Sequence, residues 1–171
     1  MNAYDDEKWN KILDYLESDD VYKRLLGWEK GLLSTCLSMN DKKIPLSERQ
    51  QGHLEKIYAR EHIKPLFIPL KTEYYLDFKD GIKTEELRLY GPRWNEGTCI
   101  VGREVVLSKG YGKKDRLQGV IWRFKRQHGT LFGQSYRESI EAVYGTLDID
   151  IACISIKNLE PLTVAKHTVL S

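Results

Sequence analysis

The stretch GIKTEELR, residues 81–88, decides the fold, because a helical pattern ends there and a strand pattern begins. Residues 72–80 predict a short helix, and Gly81 can take the left-handed conformation at its C-terminal end. Residues 84–90 predict a strand, in which alternate side chains share one face. Lys83 can lean over that face from the turn. Four side chains are therefore expected to converge there: Lys83, Glu86, Arg88 and Tyr90.

A lysine, a carboxylate and an arginine beside an aromatic ring can recognise the edge of a nucleobase. The carboxylate accepts hydrogen bonds from exocyclic amines, and the cations bind carbonyl or phosphate oxygens. Leu87 and Leu89 alternate with these residues and are expected to face the core. The alternative interpretation is a ladder of surface ion pairs, which contributes little to stability.

The residues around this stretch predict short strands and two short helices from residue 65 onward. The second helix lies in residues 135–145, with Ile140, Val143 and Tyr144 expected inward. Short strands with many non-local pairings are typical of a small, mostly closed β-barrel. The strand segments are LFI between two prolines, TEELRLY, IVGREVVLSK, LQGVIWRFKR and DIDIACISIKNLEPL.

Residues 81–88 match the pattern G-x-K-x-x-E-x-R between a helix and a strand, and this resembles the ASCH family of the PUA-like superfamily. The similarity covers roughly residues 66–162. It implies an α+β fold, a PUA-like mixed β-barrel with short helices, and a function in binding nucleic acid or a nucleobase, with RNA favoured over DNA. The implied ligand cleft is bordered by Lys83, Glu86, Arg88, Arg93 and Trp94.

The resemblance leaves an enzymatic alternative, because some ASCH-like proteins are amidohydrolases of a modified cytidine and others are ribonucleases. In the amidohydrolases a lysine of the motif and a threonine three residues later carry the chemistry, with a glutamate elsewhere. Lys83 matches that lysine, but Glu86 stands in the place of the threonine. The catalytic candidates are therefore Lys83 and Glu86, with Thr84 a poor substitute for the hydroxyl and Glu138 or Glu141 candidates for the further acid.

The net charge of +2 conceals a basic stretch. Residues 103–126 contain eight Lys and Arg residues and two acidic ones, a local charge of +6. Basic side chains around an aromatic one at a hairpin tip suit a nucleic-acid backbone. A solvated loop is the alternative interpretation. The predicted contacts in this stretch are Lys109, Tyr111, Lys113, Lys114, Arg116 and Arg123.

Residues 1–64 predict a small three-helix segment that precedes the barrel domain of residues 65–171. The helices are expected at 6–18, from 19 to about 36 with Trp28 on its buried face, and from Ser47, whose spacing to Gln50 is that of a capping box. Residues 28–61 resemble helical segments of phage proteins, which implies a phage or prophage origin. A protein partner bound through residues 1–64 is the third functional alternative.

Composition and cysteine usage predict a soluble cytoplasmic chain without a cofactor. The three cysteines, Cys36, Cys99 and Cys153, are far apart and are expected as reduced core thiols, with the last two in strands. The sequence contains no run of about 18 apolar residues, so no membrane partner is expected. The first ten residues are acidic and polar, which predicts no secretory leader. The histidines at 53, 62, 128 and 167 lack metal-ligand spacing, so no metal site is expected.

Overall fold

A computed structural model of the chain describes residues 5–162. The chain divides into two compact units, and the boundary falls between Lys64 and Pro65. The first unit contains helices α1 (Asp6–Glu17), α2 (Asp19–Arg24), α3 (Gly27–Asp41) and α4 (Glu48–Glu61).

The helices of the first unit begin where capping side chains satisfy free backbone N–H groups. Asp5 accepts from the backbone of Lys8 at the start of α1, and Ser47 and Gln50 form the predicted capping box of α4. The predicted second helix is two helices, because Leu25 and Leu26 are extended and separate α2 from α3. The described residues of this unit thus form four helices where the sequence predicted three.

An apolar core and a buried ion pair between Glu29 of α3 and Arg60 of α4 hold these helices together. The core contains Trp9, Leu16, Leu33 and Leu54, but Trp28 is 55% exposed, so the prediction that it faces the core is wrong. The sequence pattern placed Trp28 on the apolar face of one continuous helix. Because the chain is extended at Leu25 and Leu26, the apolar face of α2 does not continue through Trp28 in α3.

The second unit is a curled five-stranded sheet, a half-barrel, with helices packed on it. The strand order is β1-β3-β4-β5-β2, in which β1 pairs with β3 in parallel and every other pair is antiparallel. The elements are β1 (Leu66–Leu70), α5 (Thr72–Lys79), β2 (Glu85–Leu89), β3 (Glu104–Lys109), β4 (Arg116–His128), a 3-10 turn (Gly129–Leu131), α6 (Gln134–Tyr144) and β5 (Asp150–Pro161).

Both faces of the final strand, β5, are buried. Ala152, Ile154 and Ile156 belong to the core that also contains Phe78 and Trp94. The alternate residues Ile151 and Cys153 pack with Ile140 of α6 in a second core. A strand covered on both faces has a nearly continuous apolar sequence, which explains the run of four apolar residues at 151–154.

Four sequence predictions for this unit need correction. Leu89 is 45% exposed and Val143 is 66% exposed, so neither lies in the core. Cys99 is buried but belongs to the loop between β2 and β3 rather than to a strand. The sheet leaves β1 and β2 as edge strands without a backbone pairing between them, so it is a half-barrel and not a mostly closed barrel.

Candidate functional site

The turn between α5 and β2 positions the first residue of the site. Gly81 has φ +73°, a conformation that favours glycine. The backbone N–H groups of Ile82 and Lys83 both donate to the carbonyl of Asp77, at 2.9 and 3.0 Å. These bonds close the helix end and bring Lys83 to the edge of β2.

Lys83, Glu86 and Arg88 form one charged cluster. Lys83 Nζ lies 3.0 Å from Glu86 Oε2, and Arg88 Nε lies 2.8 Å from Glu86 Oε1. Glu86 is only 5% exposed, whereas about a quarter of each cationic side chain remains exposed. A buried carboxylate is thus held between two cations that reach solvent.

The carboxylate of Glu86 keeps capacity for a further hydrogen bond. Within the described residues, neither Glu86 Oε2 nor Arg88 Nε makes a hydrogen bond of favourable geometry, although both lie at ion-pair distance from an opposite charge. The pairing is therefore mainly one of charge. Oε2 retains lone pairs, but the atom is inaccessible to solvent and faces Lys83 Nζ, so a donor on a ligand reaches it only when the Lys83 side chain moves aside.

The cluster lines a cleft of about 520 Å³ between the two edge strands and helix α6. This volume suits a ligand of the size of a nucleobase or nucleoside. The other walls come from β1, α5 and α6, and include Lys71, Tyr74, Asp77, Tyr136, Ser139 and Val143. Sequence reasoning missed these residues as cleft walls, because it assigned Val143 to the core and gave the others no role.

Arg88 also links the two edges of the sheet. Its Nη2 donates to the backbone carbonyl of Pro69 in β1, at 2.7 Å. Its guanidinium lies 5.3 Å from the ring centre of Trp94, and that of Arg93 lies 4.9 Å from the same ring. Trp94 is buried, so it supports Arg88 from behind, and neither Trp94 nor Arg93 lines the cleft.

Tyr90 packs against the core beside the cleft and does not line it. Its hydroxyl donates to Glu96 Oε2 at 2.6 Å, and this hydrogen bond raises the pKa of Tyr90 and lowers the pKa of Glu96. Arg126 lies over the Tyr90 ring and pairs with Asp150. Tyr90 therefore belongs to a separate surface network.

The basic hairpin joins β3 to β4, and its tip lies beside β1. Gly110 N donates to the carbonyl of Leu70, a residue that lines the cleft. Arg116 lies over the ring of Phe67, and the Tyr111 ring is 6.4 Å from it. At the tip, Tyr111, Lys113 and Lys114 are exposed, and Arg123 is exposed on β4. Lys109 Nζ lies 3.7 Å from Asp115 Oδ2. The hairpin residues do not line the cleft itself.

The remaining candidates are placed less favourably for chemistry. Thr84 lines the cleft, but Glu138 and Glu141 do not. His128 contacts Thr130 and the exposed Asp148, away from the cleft residues. Among residues 5–162, no group of three His, Cys, Asp or Glu residues could hold a metal ion, and His167 lies outside the described residues.

Comparison with known proteins gives no family assignment: no family model, no curated protein and no solved structure matches the chain. Within the described part of the chain, no helix is both long enough and apolar enough to span a bilayer.

Proposed function

We propose that residues 65–171 bind nucleic acid, RNA in preference to DNA, by taking one nucleobase into the cleft. The observation that carries this proposal is the buried carboxylate of Glu86, which is held between two partly exposed cations in a nucleobase-sized cleft. An exocyclic amine that displaces Lys83 can donate to the Glu86 carboxylate, while the released Lys83 or Arg88 binds a neighbouring carbonyl oxygen. The preference for RNA and the assignment to a PUA-like domain of ASCH type rest on the resemblance of residues 81–88.

The basic hairpin supplies the backbone contacts in this proposal. Leu70 connects the two regions, because it lines the cleft and also accepts from Gly110 at the hairpin tip. A strand whose base enters the cleft can therefore continue past Lys113 and Lys114, which are exposed. Contacts of this kind contribute affinity that does not depend on sequence.

The test is binding of a labelled single-stranded RNA, followed by fluorescence anisotropy at several salt concentrations. Neutralising Lys113 and Lys114 to Gln is expected to weaken binding and to reduce the slope of log affinity against log salt by about 1.4, since each single-strand phosphate contact contributes about 0.7. The matched control is Lys42→Gln with Lys43→Gln, another exposed lysine pair, which changes the net charge equally but lies in the first unit.

Glu86→Gln tests the cleft in the same assay. Loss of the charged acceptor is expected to weaken binding of amine-bearing bases about tenfold, whereas Glu73→Gln on the exposed side of α5 is expected to bind as the unchanged chain does. Phosphate contacts bind most tightly at low salt, so failure to bind RNA or DNA at about 50 mM salt contradicts the proposal. Turnover of an acetylated cytidine that Lys83→Ala abolishes would indicate the hydrolase instead.

A further inference from the structure

A second concave surface adjoins the cleft and shares two residues with it. This groove has a volume of about 610 Å³ and opens widely to solvent. Lys83 and Thr84 line both the cleft and the groove, so the two form neighbouring compartments with Lys83 at their boundary. We call this surface the Trp122 groove. Its other lining residues are Phe78, Lys79, Gly81, Trp122, Ile156, Lys157, Asn158 and Leu159.

Irregular pairing of β4 with β5 creates the groove. Ile121 pairs with Ile156 and Arg123 with Ser155, so Trp122 is an extra residue in a bulge and has no partner on β5. The bulge turns its indole out of the core, and the side chain is 45% exposed.

A second irregularity brings β5 close to β4 and forms the floor of the groove. Gly119 pairs with Val105 of β3 but has no partner on β5, where Asn158 adopts φ +58°. A Cβ on Gly119 would lie 2.8 Å from Leu159 Cδ2 and 2.9 Å from the carbonyl of Lys157. Only glycine allows this approach, and Leu159 and Ile156 line the groove together with Trp122.

The composition of the groove matches a nucleotide. Trp122, Ile156 and Leu159 provide an aromatic and aliphatic surface, and three lysines, Lys79, Lys83 and Lys157, lie among its lining residues. Among the described residues that line the groove, none is acidic. A flat ring beside several cations can stack a base and hold its phosphate.

We infer that the ligand is a single strand of at least two nucleotides, whose second base stacks on Trp122 while the first occupies the cleft. This inference rests on the proposed function. Lys83 lies between the two compartments, where the phosphate that joins the two nucleotides would lie. Both bases must be unstacked to reach their compartments, so the strand is single rather than part of a duplex. A free nucleoside uses only the cleft.

The experiment compares ligands of increasing length and two exposed tryptophans. Binding of a nucleoside monophosphate, the corresponding dinucleotide, a single-stranded RNA and its duplex is measured with the full chain, together with tryptophan fluorescence. Trp122→Ala is expected to weaken binding of the single strand about tenfold, the usual effect of losing one stacked base. Trp122→Phe keeps a ring and is expected to recover most of the affinity. Trp28→Ala, which removes a similarly exposed indole in the first unit, serves as the control.

The outcomes separate this inference from the proposed function. Three results support the inference. The dinucleotide binds more tightly than the monophosphate, the duplex binds more weakly than the single strand, and ligand binding quenches a tryptophan fluorescence that is absent in Trp122→Phe. Equal binding of monophosphate and dinucleotide, or a Trp122→Ala chain that binds the single strand as the Trp28→Ala chain does, overturns the inference but leaves the cleft intact. Absence of binding by every nucleic-acid ligand overturns both.

Discussion

Glu86 shows how a single residue connects the sequence pattern to the site. Period-two alternation in β2 places it on the same face as Arg88, and the structure brings Lys83, Glu86 and Arg88 together. The exposure of Leu89 could not be predicted in the same way. Alternation assigns a side chain to a face but does not say whether a helix covers that face at that position.

Gly119 is the residue whose small size most directly supports the bent part of the sheet. Gly119→Ala is expected to lower the free energy of unfolding by about 1–3 kcal/mol, because the new methyl group meets a backbone carbonyl that cannot move aside easily. Urea denaturation followed by circular dichroism measures this change.

Gly91→Ala in the same unit is the matched control for Gly119→Ala. A Cβ there has no neighbouring atom within 4 Å, and a change within about 0.5 kcal/mol is expected. Equal effects of the two substitutions would show that the close approach of β5 to Gly119 is not a constraint.

Cys153 makes the stability of the second unit sensitive to alkaline pH. Burial raises the pKa of its thiol from 9.0 to about 11. The folded chain therefore keeps the proton that the unfolded chain loses between these values. The resulting stabilisation is complete below pH 9 and declines as pH rises toward 11, with a total on the order of 3 kcal/mol at 1.36 kcal/mol per pKa unit.

The measurement compares urea midpoints near neutrality and above pH 10 for the unchanged chain and for Cys153→Ala. Tyrosines such as Tyr75, whose pKa burial also raises, contribute to both chains. The unchanged chain is expected to lose more stability with pH than Cys153→Ala does. Parallel declines in the two chains would refute the assignment to Cys153.

Among the elements, the strongly periodic ones were predicted and the irregular ones were not. The capping box predicted the start of α4, and the helix that ends at Gly81 lies where residues 72–80 indicated. The break between α2 and α3 was missed because Leu25 and Leu26 continue an apolar helical pattern. The bulge at Trp122 was missed because no glycine or proline marks it in the sequence.

Helices α3 and α4 depend on a buried ion pair. The Arg60 guanidinium binds both carboxylate oxygens of Glu29 and also binds Glu61. Glu29 in addition accepts from the backbone N–H of Leu26 at the start of α3, at 2.8 Å. Glu29 and Arg60 are 1% and 8% exposed, so removal of Glu29 takes one of two carboxylate partners from a buried guanidinium.

Glu29→Ala is expected to lower the stability of the first unit by about 2–4 kcal/mol, somewhat less than a fully orphaned charge because Glu61 still pairs with Arg60. The control is Glu55→Ala, which removes the exposed pair with Lys8 and should cost at most about 1 kcal/mol. Thermal unfolding followed by circular dichroism gives both values. A Glu29→Ala chain as stable as Glu55→Ala would show that the buried pair contributes nothing beyond an exposed one.

For the whole molecule, the distribution of charge is more informative than its sum. The basic stretch at residues 103–126 carries +6, and it is largely offset by a charge of −1 in the first unit and −3 in the rest of the second, which leaves a net charge of +2. This asymmetry was readable from the sequence. The curl of the sheet was not, because it depends on bulges and on side-chain contacts between strands that are distant in the chain.

The contact between Arg88 and Pro69 has a consequence for self-association. Leu70 directs its carbonyl to Gly110 on the β3 side, so the neighbouring Pro69 faces the open edge of the sheet, where it has no N–H to offer. Arg88 occupies the carbonyl of Pro69 on that edge. An incoming strand from another copy therefore finds no donor at Pro69 and an acceptor that is already shared with Arg88, so a residue that shapes the cleft also disfavours edge-to-edge pairing at this position.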